Sequence, residues 1–186
     1  DKVGGLIGES QGAVTLIGGN FTGDVSASGD KVGGGVGCAA GDVTITDTVA
    51  SGNISGANEV GGLVGRGDGT VTVTATTATP MATGSVVASG DKSGGVVGSV
   101  GGDVTLTDVV ASNSVSGVNQ VGGLIGEAQK SVALSGVTRS GAVTSVGGSQ
   151  VGGLIGAASA AAELVSISNS TVSGNISGAV DRKSVV

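Results

Sequence analysis

Apolar and polar positions alternate along this chain in short runs, and the runs themselves return at a nearly constant spacing. The clearest landmark is Val-Gly-Gly-Leu-Ile-Gly at residues 3–8. It returns as VGGGVG at 32–37, VGGLVG at 60–65, SGGVVG at 93–98, and VGGLIG at 121–126 and 151–156. A recurrence of roughly 30 residues marks a repeat architecture, in which each unit buries its apolar edge only against its neighbours.

Two more apolar anchors keep fixed offsets inside each repeat. The second anchor follows the motif start by one constant interval at Val14, Val43, Val71, Val104 and Val132; the sixth, Val165, comes later, after an alanine-rich stretch. The same interval separates the second anchor from the third at Val25, Ile54, Val115, Val143 and Ile176. Val86 alone arrives late, because residues 76–82 carry a four-residue insertion and the only proline, Pro80. Insertions confined to the segments between anchors are what surface loops tolerate.

Around the second anchor the chain reads VTLI, VTIT, VTVT, VTLT, VALS and VSIS. Period two with β-branched residues predicts strands. Val14 and Leu16, with their counterparts, share one face; Thr15 and Ile17, with theirs, share the other. The third anchor opens a shorter strand with hydroxyls outward at Ser26, Ser55, Ser116, Thr144 and Ser177. The prediction is an all-β fold: a β-solenoid, parallel β-helix-like. It has six coils of about 28–30 residues with three short strands each. Coils start near residues 3, 32, 60, 93, 121 and 151, and the repeat region fills 1–180. The second anchors should stack in register as one interior column. At ~4.8 Å per coil the rod is roughly 29 Å long. Helix is disfavoured, since no helical period appears and 40 of 186 residues are Gly. Each would cost about 1 kcal/mol against Ala inside a helix. Residues 157–163 are the one stretch where a helical turn is expected to fit.

Composition narrows the chemistry. With one Phe and no Trp, Tyr or His, the interior must be built from ladders of Val, Ile, Leu, Ala and Gly, which suits a narrow solenoid better than an aromatic-filled globule. Without His there is no Ser-His-Asp, Cys-His or His-based metal site. The single Cys38 reads as a small buried residue, with no base to activate it and no partner for a disulfide. Asp42, Asp47, Asp103 and Asp108 read as corner residues, because Asp favours turns. Asp47 and Asp108 follow matching strands, but the repeat between them carries Ala75, so they make no catalytic carboxylate pair. The Gly pairs are not a phosphate loop, since no Lys-Ser/Thr and no helix follow. They read as a bulge or close packing at a corner. The expectation is a non-enzymatic chain with no catalytic, cofactor-binding or metal residue. A net charge of −6 without a basic stripe argues against nucleic acid as a partner. No charge-free apolar stretch of about 20 residues suggests membrane insertion. Asn20, Asn53, Asn169 and Asn175 head Asn-x-Ser/Thr triplets, which accept glycans in a eukaryotic secretory setting.

The motif resembles the GLUG repeat, named for its Gly-Leu-aliphatic-Gly core. The core reads GLIG at 5–8, 123–126 and 153–156 and GLVG at 62–65; GGVG at 34–37 and GVVG at 95–98 depart from it by replacing Leu. The resemblance spans nearly the whole chain. It implies a segment of a large bacterial protein, secreted or held at the cell surface, like the filamentous-haemagglutinin-like adhesins and some IgA-specific peptidases. The implied role is an extracellular scaffold or adhesive segment that meets a host or surface receptor, or a spacer of a secreted peptidase. It carries over no catalytic residue.

A competing reading rests on Thr44, Thr46, Thr72, Thr74, Thr105 and Thr107, the candidate surface-recognition face. Hydroxyls about 7 Å apart along a strand and about 4.8 Å apart between strands form a flat array that looks like the ice-binding face of solenoid antifreeze proteins. The array decays to Ile17 at one end and to Ala133, Ser135, Ser166 and Ser168 at the other.

Both ends read as cut. Asp1-Lys2 matches the coil ends at Asp30-Lys31 and Asp91-Lys92, so the chain is expected to be a slice of a longer protein whose open coil ends self-associate. DRKSVV at 181–186 is what a common sequencing adapter encodes in frame, and is set aside as an assembly artefact.

Overall fold

The computed structural model describes residues 1–159 and 164–178. They form six parallel coils stacked as a β-solenoid, and no helix occurs among the described residues. Each coil has five sides. The first is a two-residue strand at the motif head, from Val3–Gly4 to Val151–Gly152. The second is the rest of the motif, from Ile7–Ser10 to Ile155–Ala158. The third is the alternating strand: Val14–Ile17, Val43–Thr46, Val71–Thr74, Val104–Thr107, Val132–Ser135 and Val165–Ser168. The fourth is a two-residue step such as Val49–Ala50 or Thr138–Arg139, reduced in the third coil to isolated bridges at Ala82. The fifth carries the third anchor, from Val25–Ser26 to Ile176–Ser177. The first, second, third and fifth sides each stack into a six-stranded sheet.

Five strands thus replace the three expected. The motif is split by a bend, and the fourth side is too short to show a period of two. Ala157 and Ala158 lie in a strand rather than a helical turn. Residues 160–163 and 179–186, with the proposed artefact, lie outside the described residues.

The register is the one the spacing predicts. Val14 pairs with Val43, Val43 with Val71, Val71 with Val104, Val104 with Val132, and Val132 with Val165. The insertion before Val86 loops out without shifting the ladder, since Val86 still pairs with Ile54 and Val115. The first five anchors are at most 4% exposed, whereas Val165, in the last coil, is 44% exposed.

The glycines of the motif are steric requirements. A Cβ on its first glycine would sit 1.8–2.1 Å from the carbonyl oxygen three residues on, in every coil. A Cβ on the second, in the first five coils, would sit 2.0–2.3 Å from the matching carbonyl of the next coil. Only a residue without Cβ lets the chain bend there and stack on itself. At two other corners the backbone turns left-handed. Lys31, Glu59, Lys92, Gln120 and Gln150 do so just before the motif. Gly18, Asp47, Asp108, Gly136 and Asn169 do so just after the third side. The second corner uses Gly, Asp and Asn, the types most tolerant of this conformation, whereas the first uses Lys, Glu and Gln. In the third coil that second corner is Ala75, outside this group, and the insertion begins immediately after it.

The interior divides into two apolar columns. One joins the inner residues of the third side (Val43, Ile45, Val71, Val73, Val104, Leu106) to the motif's Leu63 and Leu124. The other joins the third anchors to the first residue of each motif, such as Val32, Val60 and Val121. Each fully buried Val, Ile or Leu contributes about 1.5–3 kcal/mol relative to exposure.

Candidate functional site: a threonine face beside a paired-charge edge

The third side presents its even positions outward. Thr44, Thr72 and Thr105 form one column, and Thr46, Thr74 and Thr107 the next. Their inner neighbours Val43, Ile45, Val71, Val73, Val104 and Leu106 are all at most 1% exposed. The hydroxyls therefore stand on a rigid, dry backing. All six predicted face residues are brought together on one sheet, flanked by Thr15 and Ile17 below and by Ala133 and Ser135 above. Ile17 is 75% exposed, so the face opens on an aliphatic patch.

The insertion borders this face at its middle coil. Thr76, Thr77, Ala78, Thr79 and Pro80 are all exposed. Its base is fixed by Asp47, which accepts hydrogen bonds from the Thr76 hydroxyl and, at 2.7 Å, from the Thr76 amide. These bonds hold the Asp47 carboxyl below the usual range. Thr77 and Thr79 share a 2.8 Å hydroxyl contact. The threonine face is therefore flat along its strands but rimmed at one corner.

The aspartates at the corners act between coils. Asp42 accepts the Thr70 amide at 2.8 Å, Asp103 the Ser131 amide at 3.1 Å, and Asp24 the Asn53 amide at 2.7 Å. Just before the motif, Asp30, Asn58, Asp91 and Asn119 form a ladder that sequence reasoning missed. Asp30 accepts both the amide and the side-chain NH2 of Asn58, Asn58 accepts the Asp91 amide, and Asp91 accepts both groups of Asn119. The fixed offset from the motif was the signal that would have found it. Asp47 and Asp108 are kept apart by Ala75, as expected.

The motif edge gathers most of the long charged side chains. Lys2 pairs with Glu9; Arg66 joins Glu59 at 2.6 Å and Asp68 at 2.5 Å; Lys92 joins Glu127 at 3.0 Å and approaches Glu59 at 3.8 Å. Lys2 and Glu9, like Glu59 and Arg66, face each other across the bend of the motif. Cys38 sits in this outer column between Glu9 and Arg66, 5% exposed, and burial pushes its thiol up. No cluster of three or more His, Cys, Asp or Glu residues that could hold a metal occurs among the described residues.

No family model, curated protein or solved structure matches the chain.

Proposed function

We propose that this chain is a non-enzymatic extracellular repeat scaffold whose flat third side is an adhesive surface, as in the GLUG-repeat adhesins it resembles. The observation that carries this reading is the division of labour around each coil. Glycines and corner aspartates are engaged in stacking one coil on the next, and the charges of the motif edge are paired with one another. The threonine columns make no such contribution and remain displayed on an unbroken sheet. A rigid surface of hydroxyl and methyl groups contacts a receptor with little ordering cost. The test is retention of beads carrying the whole chain on host-cell, glycan and mineral surfaces. Retention that Thr74→Lys abolishes and Lys130→Thr leaves intact is expected. No retention on any surface, or retention indifferent to Thr74→Lys, overturns the reading. A secreted peptidase's spacer is the alternative that a catalytic domain in the flanking sequence would favour.

One observation favours a second reading. The threonine columns keep strict register across three adjacent coils, the regular array that contact with an ice plane requires. Ice binding predicts thermal hysteresis that Thr74→Tyr removes without unfolding the chain, because a protruding ring spoils a flat contact while an outward residue costs little stability. Since the array spans only three coils and is rimmed by the insertion, the expected result is no hysteresis in the parent chain.

A further inference from the structure

Three buried side-chain atoms among the described residues lack a hydrogen-bond partner: Ser93 Oγ, Asn113 Oδ1 and Arg139 Nη1. All three lie in the fourth and fifth coils. Arg139 stands in an interior column whose other members are Phe21, Ala50, Ala82, Ala111 and Val172. It is 0% exposed and among the largest fully buried side chains. Asn113 occupies the level where neighbouring coils place Gly84 and Gly141, and is likewise 0% exposed.

Each side chain reaches across the interior to the motif of its own coil. Arg139 Nε donates to the Gly123 carbonyl at 2.7 Å and Nη2 to the Ala142 carbonyl at 3.4 Å. Asn113 Nδ2 donates to the Gly95 carbonyl at 2.7 Å. A Cβ on Gly95 would lie 2.7 Å from Asn113 Oδ1 and 2.1 Å from the Gly123 carbonyl oxygen of the next coil, so the unpartnered Oδ1 faces the fifth coil. A Cβ on Gly141 would lie 2.5 Å from the Asn113 backbone carbonyl oxygen and 3.0 Å from Arg139 Nη1, so Nη1 stands beside the backbone of the fourth coil. No carboxylate among the described residues pairs with Arg139. Burial alone pulls its guanidinium down to about 10.

In a stack of repeats, stability is the sum of each coil's own term and its contacts with two neighbours. An unpaired buried charge weakens one such contact, and the weakest contact defines where a cooperative unit separates. The corresponding level in the second and third coils is filled by Ala50 and Ala82, with no unpaired polar atom.

We propose that the junction between the fourth and fifth coils is a built-in opening point, at which the coil carrying Arg139 detaches from the coil carrying Asn113 while the second and third coils stay closed. Opening lets the guanidinium reach water and bares the edges of Val104–Thr107 and Ser114–Gly117, unpaired strand edges that invite another strand.

Amide hydrogen exchange on the whole chain at neutral pH tests this. The second and fifth coils are compared because each has one further coil on its outer side. The segment 121–145 is expected to exchange at least tenfold faster than the segment 32–56. Arg139→Met, which keeps length and bulk but removes the charge, is expected to slow the fifth coil at least tenfold and leave the second unchanged. Simple fraying from the end would not respond to that substitution. Equal protection of the two coils in the parent overturns the proposal. So does faster or unchanged exchange in Arg139→Met, or its failure to fold, since each would mean that the guanidinium holds the junction closed or is indifferent to it.

Discussion

Substituting Ala for Gly122, the first glycine of the fifth motif, probes the geometry on which the whole stack depends. The added Cβ would lie 1.8 Å from the Ile125 carbonyl oxygen and 2.6 Å from the Gly156 amide nitrogen. Both are backbone atoms, so no side chain can swing aside. Reaching an ordinary carbon–oxygen contact requires the bend to open by about 1.4 Å. Three bonds to the sixth coil anchor that bend: Gly123 N to Gly152 O at 3.0 Å, and Leu124 N and Ile125 N to Leu154 O at 2.8 and 2.9 Å. Losing them costs about 1 kcal/mol each. Leu124 and Ile125, both 0% exposed, would lift from the core by roughly a methylene each, adding about 1–2 kcal/mol. The expected total is about 4–5 kcal/mol, which in a chain of this size lowers the melting temperature by roughly 8–20 °C.

Two control glycines separate the causes. Gly12 is exposed, has nothing within 4 Å of its would-be Cβ, and is not left-handed, so Gly12→Ala should be neutral or slightly stabilising. Gly147 has equal space but a φ of +103°, so Gly147→Ala should cost about 1 kcal/mol through backbone strain alone. Thermal unfolding followed by circular dichroism gives the ranking. A Gly122→Ala chain that melts within about 2 °C of the parent would refute the steric account of the motif.

Two other perturbations test the ladders. Burial raises the Glu127 carboxyl, but hydrogen bonds from Lys92, Gln129 and Ser99 outweigh it and leave the group below its ordinary range. A depressed carboxylate contributes stability above the unfolded-state value near pH 4.3 and loses it as pH falls through the lower folded value. The melting difference between parent and Glu127→Gln should be under about 1 kcal/mol at pH 7, since the pair is partly exposed, and should shrink as the pH falls below the ordinary carboxylate range; a difference that grows on acidification would contradict it. Asn58→Asp removes the donor to Asp30 and stacks three carboxylates in successive coils, so a loss of about 1–2 kcal/mol is expected at neutral pH. Melting curves should show partial recovery at high salt, which screens the like charges; a loss indifferent to salt would point to another cause.

What the sequence discloses follows from the length scale of each force. Burial of Val14, Val43, Val71 and their counterparts writes a period of two into the third side, and stacking writes the return of the motif from coil to coil, so the parallel register was legible. The loop before Val86 was legible as extra length between fixed anchors. Two-residue sides such as Val110–Ala111 were not, since so short a strand carries no period. The role of the motif glycines was only half legible: their recurrence showed, but not that each faces a backbone carbonyl at contact too close for any Cβ. Arg139 was hidden for a different reason. Thr-Arg-Ser before a glycine reads as an exposed turn, and only its alignment with Ala111 and Val172 places it inside.

Charge is distributed around the coil by the same logic, and this bears on the proposed adhesive surface. Long charged side chains concentrate on the motif edge, where Lys2 with Glu9, Glu59 with Arg66, and Lys92 with Glu127 largely cancel one another. The corner aspartates accept amides from the next coil. On the third and fifth sides the outward strand positions are Thr, Ser, Ala, Val and Ile. A net charge of −6 therefore leaves those two faces without fixed charge of their own. Charged partners would be drawn to the corners, where attraction at physiological salt reaches only about 8 Å. If the third side is the adhesive surface proposed above, the partner it fits is an uncharged one of hydroxyl and methyl groups, since its six threonines offer contact without the desolvation of a single ion.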